Sequence, residues 1–448
     1  MHSQRVEDVS NLRFMLRALR HRNYRLFFAG QVVSLIGTWL SMIASSWLVY
    51  RLATAEGRPA AMLLGLVAFA GQFPLFLLTP LTGVWIDRWS RHAILVTTQT
   101  LSMLQSFVLA ALVLSDWITI PQIIVLNALQ GIVSAWDVPA RQAFTVELIE
   151  DRDDLSNAIA LSSSTVHAAR LVGPAVGGYL IYAVGEGLCF LIDGVSFLAV
   201  IGALLAMRVK PVLRREKSAR ALASLREGVS YAAGFAPIRT LLTVVAVTSL
   251  TSMSQSTLMP IFAANILGGG ERTLGWMLGA TGLGALAGSL YLASRRSVIG
   301  LGRVIAIAGL ALGFAMMGLA WSRLLLLSIP LLAVIGLCLV VQMASCNTML
   351  QTIVDDDKRG RVMALFAMAF LGVAPLGSLW GGAVATMFGA PTTVTIAAIG
   401  CWATAAYFAF RLPALRPLIR PIYETKGILP QMARALESTE ALEDPTQD

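Results

Sequence analysis

The chain has 448 residues, of which 56% are hydrophobic and only 13% charged, and its mean hydropathy is +0.72. A soluble protein carries about a quarter charged residues, so this composition argues against a soluble enzyme, a disordered protein and a nucleic-acid-binding domain. The net charge is +9, and the four cysteines lie inside apolar stretches without a C-x-x-C pair, which argues against a metal site or a disulfide framework.

Apolar stretches long enough to cross a bilayer follow one another along the chain. A helix needs about 20 apolar residues for one crossing, and the stretches lack the period-two alternation of a membrane β-barrel. The last run is long enough for two crossings and is divided by a turn signal, Phe388–Pro391. The stretches are Leu26–Tyr50, Pro59–Ile86, Ala93–Ser115, Trp117–Trp136, Leu155–Gly185, Gly187–Met207, Thr240–Gly270, Thr273–Ser294, Val304–Ser322, Leu324–Val354 and Val362–Phe410. The sequence therefore predicts an all-α membrane protein with twelve transmembrane helices.

The basic residues collect on one side of these spans. All but five of the 34 lysines and arginines fall in the N-terminal arm, in alternate loops, in the long central loop or in the C-terminal tail. The exceptions are Arg51, Arg58, Arg272 and Arg323 on the other side, and Arg170 within a span. Because positively charged loops stay in the cytoplasm, we expect both termini on the cytoplasmic side of the cell (inner or plasma) membrane.

A repeat relates the two halves of the chain. Nine positions of the loop and helix after span four recur 204 residues later, among them Asp151 as Asp355, Gly178 as Gly382 and Gly185 as Gly389. An internal repeat of six helices is typical of transporters, although chance matching of small residues is the alternative. The predicted parts are an N-terminal arm (1–25), a first six-helix bundle (26–207), a cytoplasmic linker (208–237), a second bundle (238–411) and a poorly ordered cytoplasmic tail (412–448).

The loop after span two carries Gly83, Asp87, Arg88 and Arg91. A glycine at a helix end allows close packing, and the acid can face the positive end of a neighbouring helix. The arginines can pair with acids at other helix ends, and such pairs can break and reform as the mouth of a transporter opens and closes. A polar stop after a helix is the plainer alternative.

This loop resembles the signature G-x-x-x-D-R-x-x-R that the major facilitator superfamily carries between its second and third spans. Ser90 stands where glycine is usual, and His92 stands where another basic residue is usual. The resemblance implies the major facilitator fold, two pseudo-symmetric six-helix bundles, and a monomer. It also implies that Asp87 and the arginines latch a cytoplasmic gate.

Span five contains Gly173, Pro174, Gly177 and Gly178. Small residues four apart let helices approach closely, and the proline can bend the helix. The string is similar to the antiporter motif of the same family, G-P-x-x-G-G, which is associated with exporters. Ala169 replaces the earlier glycine of that motif, and ordinary small-residue packing is the alternative interpretation.

Span four offers Asp137 and Arg141, which are four residues apart and can pair along one helix face. Asp137 can instead hold Arg88 or Arg91. The string around this pair and the opening Leu19–Phe27 resemble the family subgroup that contains the enterobactin exporter and other drug exporters, which extends the predicted gate to both residues. The arginine that the family usually carries in this span is replaced by Asn127, so a standard proton relay is not expected there.

Ionisable residues inside a membrane are costly and by default functional. Arg170 and His167 lie one turn apart in span five, and Asp193 lies early in span six. Asp193 or His167 is a candidate for carrying a coupling proton, and a purely structural ion pair between Arg170 and Asp193 is the alternative. Polar residues of spans one, four and seven are candidates for lining a central cavity, although such side chains often only bond back to their own helix. The cavity candidates are Gln31, Thr38, Trp39, Asn127, Gln130, Ser252 and Gln255.

These features favour a secondary transporter that exports a small amphipathic organic molecule, a siderophore, metabolite or drug, by alternating access. Its partners would be this substrate, the lipid bilayer and protons as the coupling ion. No cofactor is expected, since the nucleotide-binding motif G-x-x-x-x-G-K-[ST] is not present. A lipid or lysolipid flippase on the same scaffold and a non-transporting sensor are the alternatives. A membrane enzyme is disfavoured because the four histidines are widely spread and G-x-S-x-G is absent.

Overall fold

The computed structural model describes residues 17–86, 89–149, 151–209, 221–295 and 297–426. Within these ranges it contains helices and connecting loops but no strand, and eleven helices are long and apolar enough to cross a membrane. The main helices are α1 (Arg22–Ala55), α2 (Ala60–Ile86), α3 (Arg91–Leu114), α4 (Ile120–Glu147), α5 (Arg152–Leu205), α6 (Ala221–Gly234), α7 (Ala236–Thr257), α8 (Glu271–Ser294), α9 (Leu301–Trp321), α10 (Leu325–Ile353), α11 (Asp356–Ala367), α12 (Val373–Phe388) and α13 (Ala390–Thr425). We call 17–209 the first half and 221–426 the second half.

The stretch predicted as spans five and six is a single run, α5, which is 54 residues long and broken at Gly185 (φ 80°, ψ 167°). A straight helix of this length would extend about 80 Å, more than twice the hydrocarbon thickness. We call its arms α5a (152–184) and α5b (186–205). Glu186 pairs with Arg51 near the end of α1, whereas the Arg208 carbonyl accepts from Asn23 near the start of α1. The chain therefore turns back at Gly185.

The same turn occurs in the second half. Gly389, between α12 and α13, has φ 83° and ψ 158°, a backbone region that is essentially restricted to glycine. Gly185 and Gly389 are 204 residues apart, which is the spacing of the sequence repeat. The two halves therefore share this unusual backbone conformation at equivalent positions of the repeat.

The last helix continues beyond the predicted end of the second bundle. The expectation of a poorly ordered tail after Arg411 is wrong for 412–425, because α13 runs unbroken to Thr425. Leu412, Leu415, Ile419 and Tyr423 are buried, and they recur every three or four residues along one face. The three prolines of this segment are exposed and four residues apart, so the donors that they lack all fall on the outer face. Residues 427–448 lie outside the described ranges.

Buried apolar side chains form three clusters. We call the end of the helices where α1 begins and α13 finishes the termini end, and the opposite end, with Gly185 and Gly389, the far end. The largest cluster lies at the far end and joins residues of both halves, such as Leu48 and Phe262. At the termini end each half has a cluster of its own, around Phe144 in the first and Phe408 in the second. Among the described residues, the two halves thus share a buried core at the far end and have separate cores at the termini end.

The helix α6 lies inside the predicted linker (208–237), of which residues 210–220 lie outside the described ranges. It packs against the start of α11 in the second half: Tyr231 donates to Asp355 over 3.3 Å, and Glu227 pairs with Arg361 over 3.0 Å. Burial, followed by the charge of Asp355, raises the pKa of Tyr231. This connecting helix therefore belongs structurally to the second half.

Candidate functional site

Glycine–glycine contacts join the two halves at two places among the residues that the structure describes. A Cβ atom on Gly178 of α5a would lie 2.5 Å from the Cα atom of Gly275 in α8. A Cβ atom on Gly382 of α12 would lie 3.0 Å from the Cα atom of Gly65 in α2. At each place two helices touch backbone to backbone, and we call these two contacts the glycine seams. Gly178 and Gly382 are equivalent positions in the repeat, so the repeat that relates the two halves also relates the two seams.

The other glycines of the predicted antiporter motif face α1. A Cβ atom on Gly173 would lie 2.6 Å from Cβ of Trp39, and one on Gly177 would lie 3.1 Å from Cδ1 of Ile43. The carbonyl of Pro174 lies on the opposite side, beside Gly275. One short string thus packs α5a against its own half on one face and against the second half on the other.

Polar contacts between the halves occur at the far end. The Trp47 indole donates to Glu271 over 2.9 Å, and the Tyr50 hydroxyl donates to the side-chain oxygen of Asn265. The Arg272 guanidinium lies over the ring of Tyr182, 3.6 Å from its centroid. Sequence reasoning did not single out these residues, although two adjacent charges, Glu271 and Arg272, at the start of an apolar helix were a usable signal.

Asp137 is the centre of a buried network at the termini end of the first half. It is 5% exposed and pairs with Arg141 on its own helix, as the four-residue spacing predicts. Thr98 and Gln99 of α3 both donate to its Oδ1 atom, over 2.9 and 2.7 Å. Arg141 also donates to Gln31 of α1. The network therefore ties α1, α3 and α4 together at the level of the predicted gate.

The predicted gate loop is described only in part. Arg91 begins α3, pairs with Glu147 of α4 over 2.9 Å and donates to the Ala143 carbonyl over 3.1 Å. Gly83 lies within α2, whereas Asp87 and Arg88 lie outside the described residues. The latch that these two residues would form stays a prediction.

The opening of the chain is held by Asp154 at the start of α5, which is 2% exposed. Its carboxylate lies within ion-pair distance of Arg17 (3.3 Å), Arg20 (2.8 Å) and His21 (2.9 Å). These contacts give the Leu19–Phe27 string a structural role at the termini end. Among the residues that the structure describes, no group of three or more His, Cys, Asp or Glu side chains could hold a metal ion.

Asp193 lies near the middle of α5b, eight residues or about 12 Å beyond the turn at Gly185. It is 2% exposed, and Ser106 of α3 donates to its Oδ2 atom over 2.7 Å. Ser41 of α1 also faces the carboxyl group. The side chains of Arg170 and His167 lie outside the described residues, so their predicted roles as ion-pair partner or proton carrier stay predictions.

The cavity candidates on α1 differ in their exposure. Thr38 is exposed, and its hydroxyl bonds back to its own helix at Ser34. Trp39 is half-buried against Gly173. Gln31 is buried, and its amide oxygen accepts from Arg141, so this side chain belongs to the charged network.

The two candidates on α4 point to different helices. Asn127 donates to its own helix at Ile123 over 2.9 Å and to Ser45 of α1 over 3.3 Å. Gln130 donates to Ser102 of α3 over 3.1 Å. Gln130 therefore lies inside the first half, away from the surface that faces the second half.

In the second half, Ser252 and Gln255 are both buried in α7, and the Gln255 amide contacts the sulfur of Met259. Ser249, on the same helix, donates over 2.5 Å to the carbonyl of Phe370. Phe370 lies in a π-helical turn between α11 and α12, a distortion often found at functional sites. The serine hydroxyl thus connects α7 to this turn.

A family model described as transmembrane secretion effector, within the major facilitator superfamily, matches residues 15–420. The protein belongs to the major facilitator superfamily. This membership confirms the resemblance seen in the gate loop, and with its curated relatives it identifies a multi-pass membrane transporter, not an enzyme.

The relatives with known roles include exporters and a siderophore transporter. The chain is 25% identical over 390 residues to the staphyloferrin A transporter of Staphylococcus aureus, covering 86% of this chain and 96% of the relative. It is 26% identical over 404 residues to the multidrug efflux pump Tap of Mycobacterium tuberculosis, covering 88% and 94%.

Solved structures share the fold at low sequence identity. A bacterial homologue of the human lysosomal transporter Spinster, in an inward-facing and occupied conformation, superposes with a TM-score of 0.69 at 14% identity, covering 87% of this chain and 96% of that one. The nucleoside transporter NupG gives 0.67 at 14% identity, covering 86% and 99%. Both support the transporter fold.

Proposed function

We propose that the protein is a secondary active exporter of a small amphipathic organic molecule that works by alternating access. The observation that carries this proposal is the distribution of the buried apolar clusters: the halves share a core at the far end and have separate cores at the termini end. A transporter that is open at one end and closed at the other requires such an arrangement.

The proposed architecture has twelve crossings in two pseudo-symmetric bundles, 26–207 and 238–411, joined by the linker 208–237. Counting α5a and α5b as separate crossings gives twelve, one more than the eleven apolar helices. The distribution of basic residues supports a cytoplasmic location for the linker, the N-terminal arm and the C-terminal tail, in the cell membrane. The monomer is the proposed working unit.

The two glycine seams are the proposed pivot. At Gly178–Gly275 and Gly65–Gly382 the backbones touch, so the halves can rock there without side chains having to be displaced. Opening the far end would break the Trp47–Glu271 and Tyr50–Asn265 contacts. The Asp137–Arg141 and Arg91–Glu147 pairs would hold each helix end in place as the termini end closes.

The proposed substrates are siderophores, metabolites or drugs, because the relatives include a staphyloferrin A transporter and a multidrug efflux pump. The proposed coupling ion is the proton, with Asp193 as its carrier. Asp193 is buried in a membrane-crossing arm, its Oδ1 atom has no partner of normal hydrogen-bond geometry, and no described cation pairs with it. Such a carboxyl group favours reversible protonation.

A lipid is the second candidate substrate, and one observation favours it. A groove of about 510 Å³ opens between α3 and α4 at the termini end, and its lining is almost entirely apolar. The lining includes Trp89, Leu101, Ile132 and Trp136. A lipid chain can enter such a groove directly from the bilayer.

Transport into inverted membrane vesicles tests the function. Energised vesicles containing the protein should accumulate ethidium or iron-free staphyloferrin A, and a protonophore should abolish the accumulation. Movement of a fluorescent lysolipid in the same vesicles, without accumulation of either solute, would favour the second candidate. Transport that is unchanged by the protonophore would contradict proton coupling, and Asp193→Asn with an unaltered pH dependence would exclude Asp193 as the carrier.

A further inference from the structure

One face of α3 is polar and buried along its inner length. Thr98, Ser102 and Ser106 are four residues apart, which places them on one side of the helix. Their exposed fractions are 5%, 4% and 1%, and they extend over about 12 Å. Buried hydroxyl groups are costly unless they are hydrogen-bonded, so a continuous row of them inside a membrane helix calls for a reason other than packing.

The row connects two carboxylates. Thr98, nearest the termini end, donates to Asp137, and Ser106 donates to Asp193. Ser102, between them, accepts from the amide of Gln130 over 3.1 Å. The polar groups therefore lead from the charged network at the termini end to a carboxyl group in the middle of the first half.

Among the described residues, several polar atoms beside this row lack a protein partner of normal hydrogen-bond geometry. They are Oε1 of Gln99, Oε1 of Gln130 and Oδ1 of Asp193. Buried polar atoms are nearly always hydrogen-bonded, and those without a protein partner commonly bind an internal water molecule. Gly37 of α1 packs directly against this carboxyl group: a Cβ atom there would lie 2.7 Å from Oδ1 of Asp193 and 2.5 Å from Oγ of Ser196.

The charged groups around the two ends differ. On α1 and α3 the described residues facing Asp193 are Gly37, Ser41 and Ser106, none of which is charged. Asp137 faces the cation of Arg141 on its own helix, while the groups on α3 that face it are neutral. The carboxylate of Asp193 therefore has no compensating cation among its described neighbours, whereas the carboxylate of Asp137 has Arg141.

We propose that Thr98, Ser102 and Ser106, with Gln99, Gln130 and intervening water, form a proton path between the termini end and Asp193. This inference rests on the proton coupling proposed above and adds its route. Hydroxyl groups and water both donate and accept hydrogen bonds, so a proton leaving the Asp193 carboxyl group passes by successive exchange of O–H bonds. It is released to water beside Asp137, and Asp193 is left ionised. The same exchanges in the opposite direction return a proton to the Asp193 carboxylate.

The path lies inside the first half, where α3 packs against α4 and α5b. Coupling between the proton and the substrate would pass through α1, which contacts Asp193 with Gly37 and carries the exposed Thr38 on another face.

The rate at which Asp193 takes up a proton tests the path without a substrate. The full chain in lipid nanodiscs is given a rapid pH drop, and the carbonyl stretch of the protonated acid is followed by infrared absorption; the band is assigned by its loss in Asp193→Asn. We expect Thr98→Val and Ser102→Ala to slow protonation by about tenfold. Thr98→Ser, which keeps the hydroxyl, should restore the rate.

Thr100→Val is the matched control, because that hydroxyl bonds to Val96 of its own helix over 2.8 Å and lies off the polar face. Equal rates in Thr98→Val and Thr100→Val would overturn the path, as would a band that survives in Asp193→Asn. Either result would leave proton-driven accumulation in wild-type vesicles unaffected. Accumulation that ignores the proton gradient, with the Asp193 band present, would instead overturn the proposed function.

Discussion

Gly178 and Gly202 lie on the two arms of α5, α5a and α5b, and meet different surroundings. A Cβ atom at Gly178 would collide with the backbone of α8, whereas one at Gly202 would meet nothing within 4 Å. We expect Gly178→Ala to force the seam apart, at a cost of roughly 1–3 kcal/mol, and to abolish ethidium accumulation in inverted vesicles. Gly202→Ala should retain transport and gain roughly 0.5–1 kcal/mol in unfolding free energy. Equal transport by the two variants would contradict the seam as pivot.

The Asp137–Arg141 pair makes a second prediction. In Asp137→Asn the guanidinium loses its carboxylate, and because the Arg141 side chain is 29% exposed the loss should be roughly 1–3 kcal/mol. The double variant Asp137→Asn, Arg141→Gln should recover part of this loss, since no unpaired charge remains. Thermal unfolding in detergent measures both. Strictly additive losses would show that the pair does not act as a unit.

At the scale of residues, contacts within one helix were predictable and contacts between helices were not. The spacing of Asp137 and Arg141 alone determines that they can pair, because it depends only on helix geometry. The contact of Ser106 with Asp193 depends on how α3 packs against α5b. The four-residue spacing of Thr98, Ser102 and Ser106 was a readable signal of a polar face, but not of the partners it meets.

At the scale of elements, the two glycine turns at the far end allow a prediction about stability. At Gly185 and Gly389 the dihedral angles are essentially restricted to glycine, so each substitution by alanine should cost roughly 1–3 kcal/mol of unfolding free energy. Gly185 has nothing within 4 Å of its Cβ position, so the cost there would arise from the backbone alone. Gly360→Ala, within α11 and equally unobstructed, is the control and should not destabilise. Equal melting temperatures for all three variants would contradict the proposed strain.

Element boundaries followed the apolar pattern except where proline and glycine intervened. Proline and charge suggested that the chain loses order after Arg411, yet α13 continues because its apolar face packs on the second half. Packing of Leu415 and Ile419 outweighs the bonds lost at the exposed prolines. At Gly185, where the sequence predicts span five to end, α5 continues as one run but reverses its direction.

At the scale of the whole molecule, linking the halves at the far end should stop transport. We expect Tyr50→Cys with Asn265→Cys, joined by a reducible bifunctional thiol reagent, to lower accumulation to the level of protonophore-treated vesicles. A reductant should restore it. The same treatment of Thr257→Cys with Ser378→Cys, which lie in the second half with their hydroxyls 3.0 Å apart, should leave transport unchanged. Full activity of the linked first pair would contradict rocking.

The repeat and the number of apolar stretches predicted the plan of the molecule, because both depend on pattern alone. The distribution of cores was not predictable: Leu48 and Phe262 share a cluster, while Phe144 and Phe408 do not, and nothing in their sequence context distinguishes them. For the same reason Gln130, predicted to line the cavity, proved to face α3.

Three of the ten tryptophans, Trp85, Trp89 and Trp136, lie at the termini end with ring centroids 5.5 to 6.5 Å apart. Trp85 and Trp89 are more than half exposed, and indole rings favour the boundary between lipid and water. Heavy atoms on nearby acyl chains quench indole emission. In a variant whose other seven tryptophans are replaced by phenylalanine, bilayers brominated at successive carbon positions would therefore reveal how deeply this end is immersed.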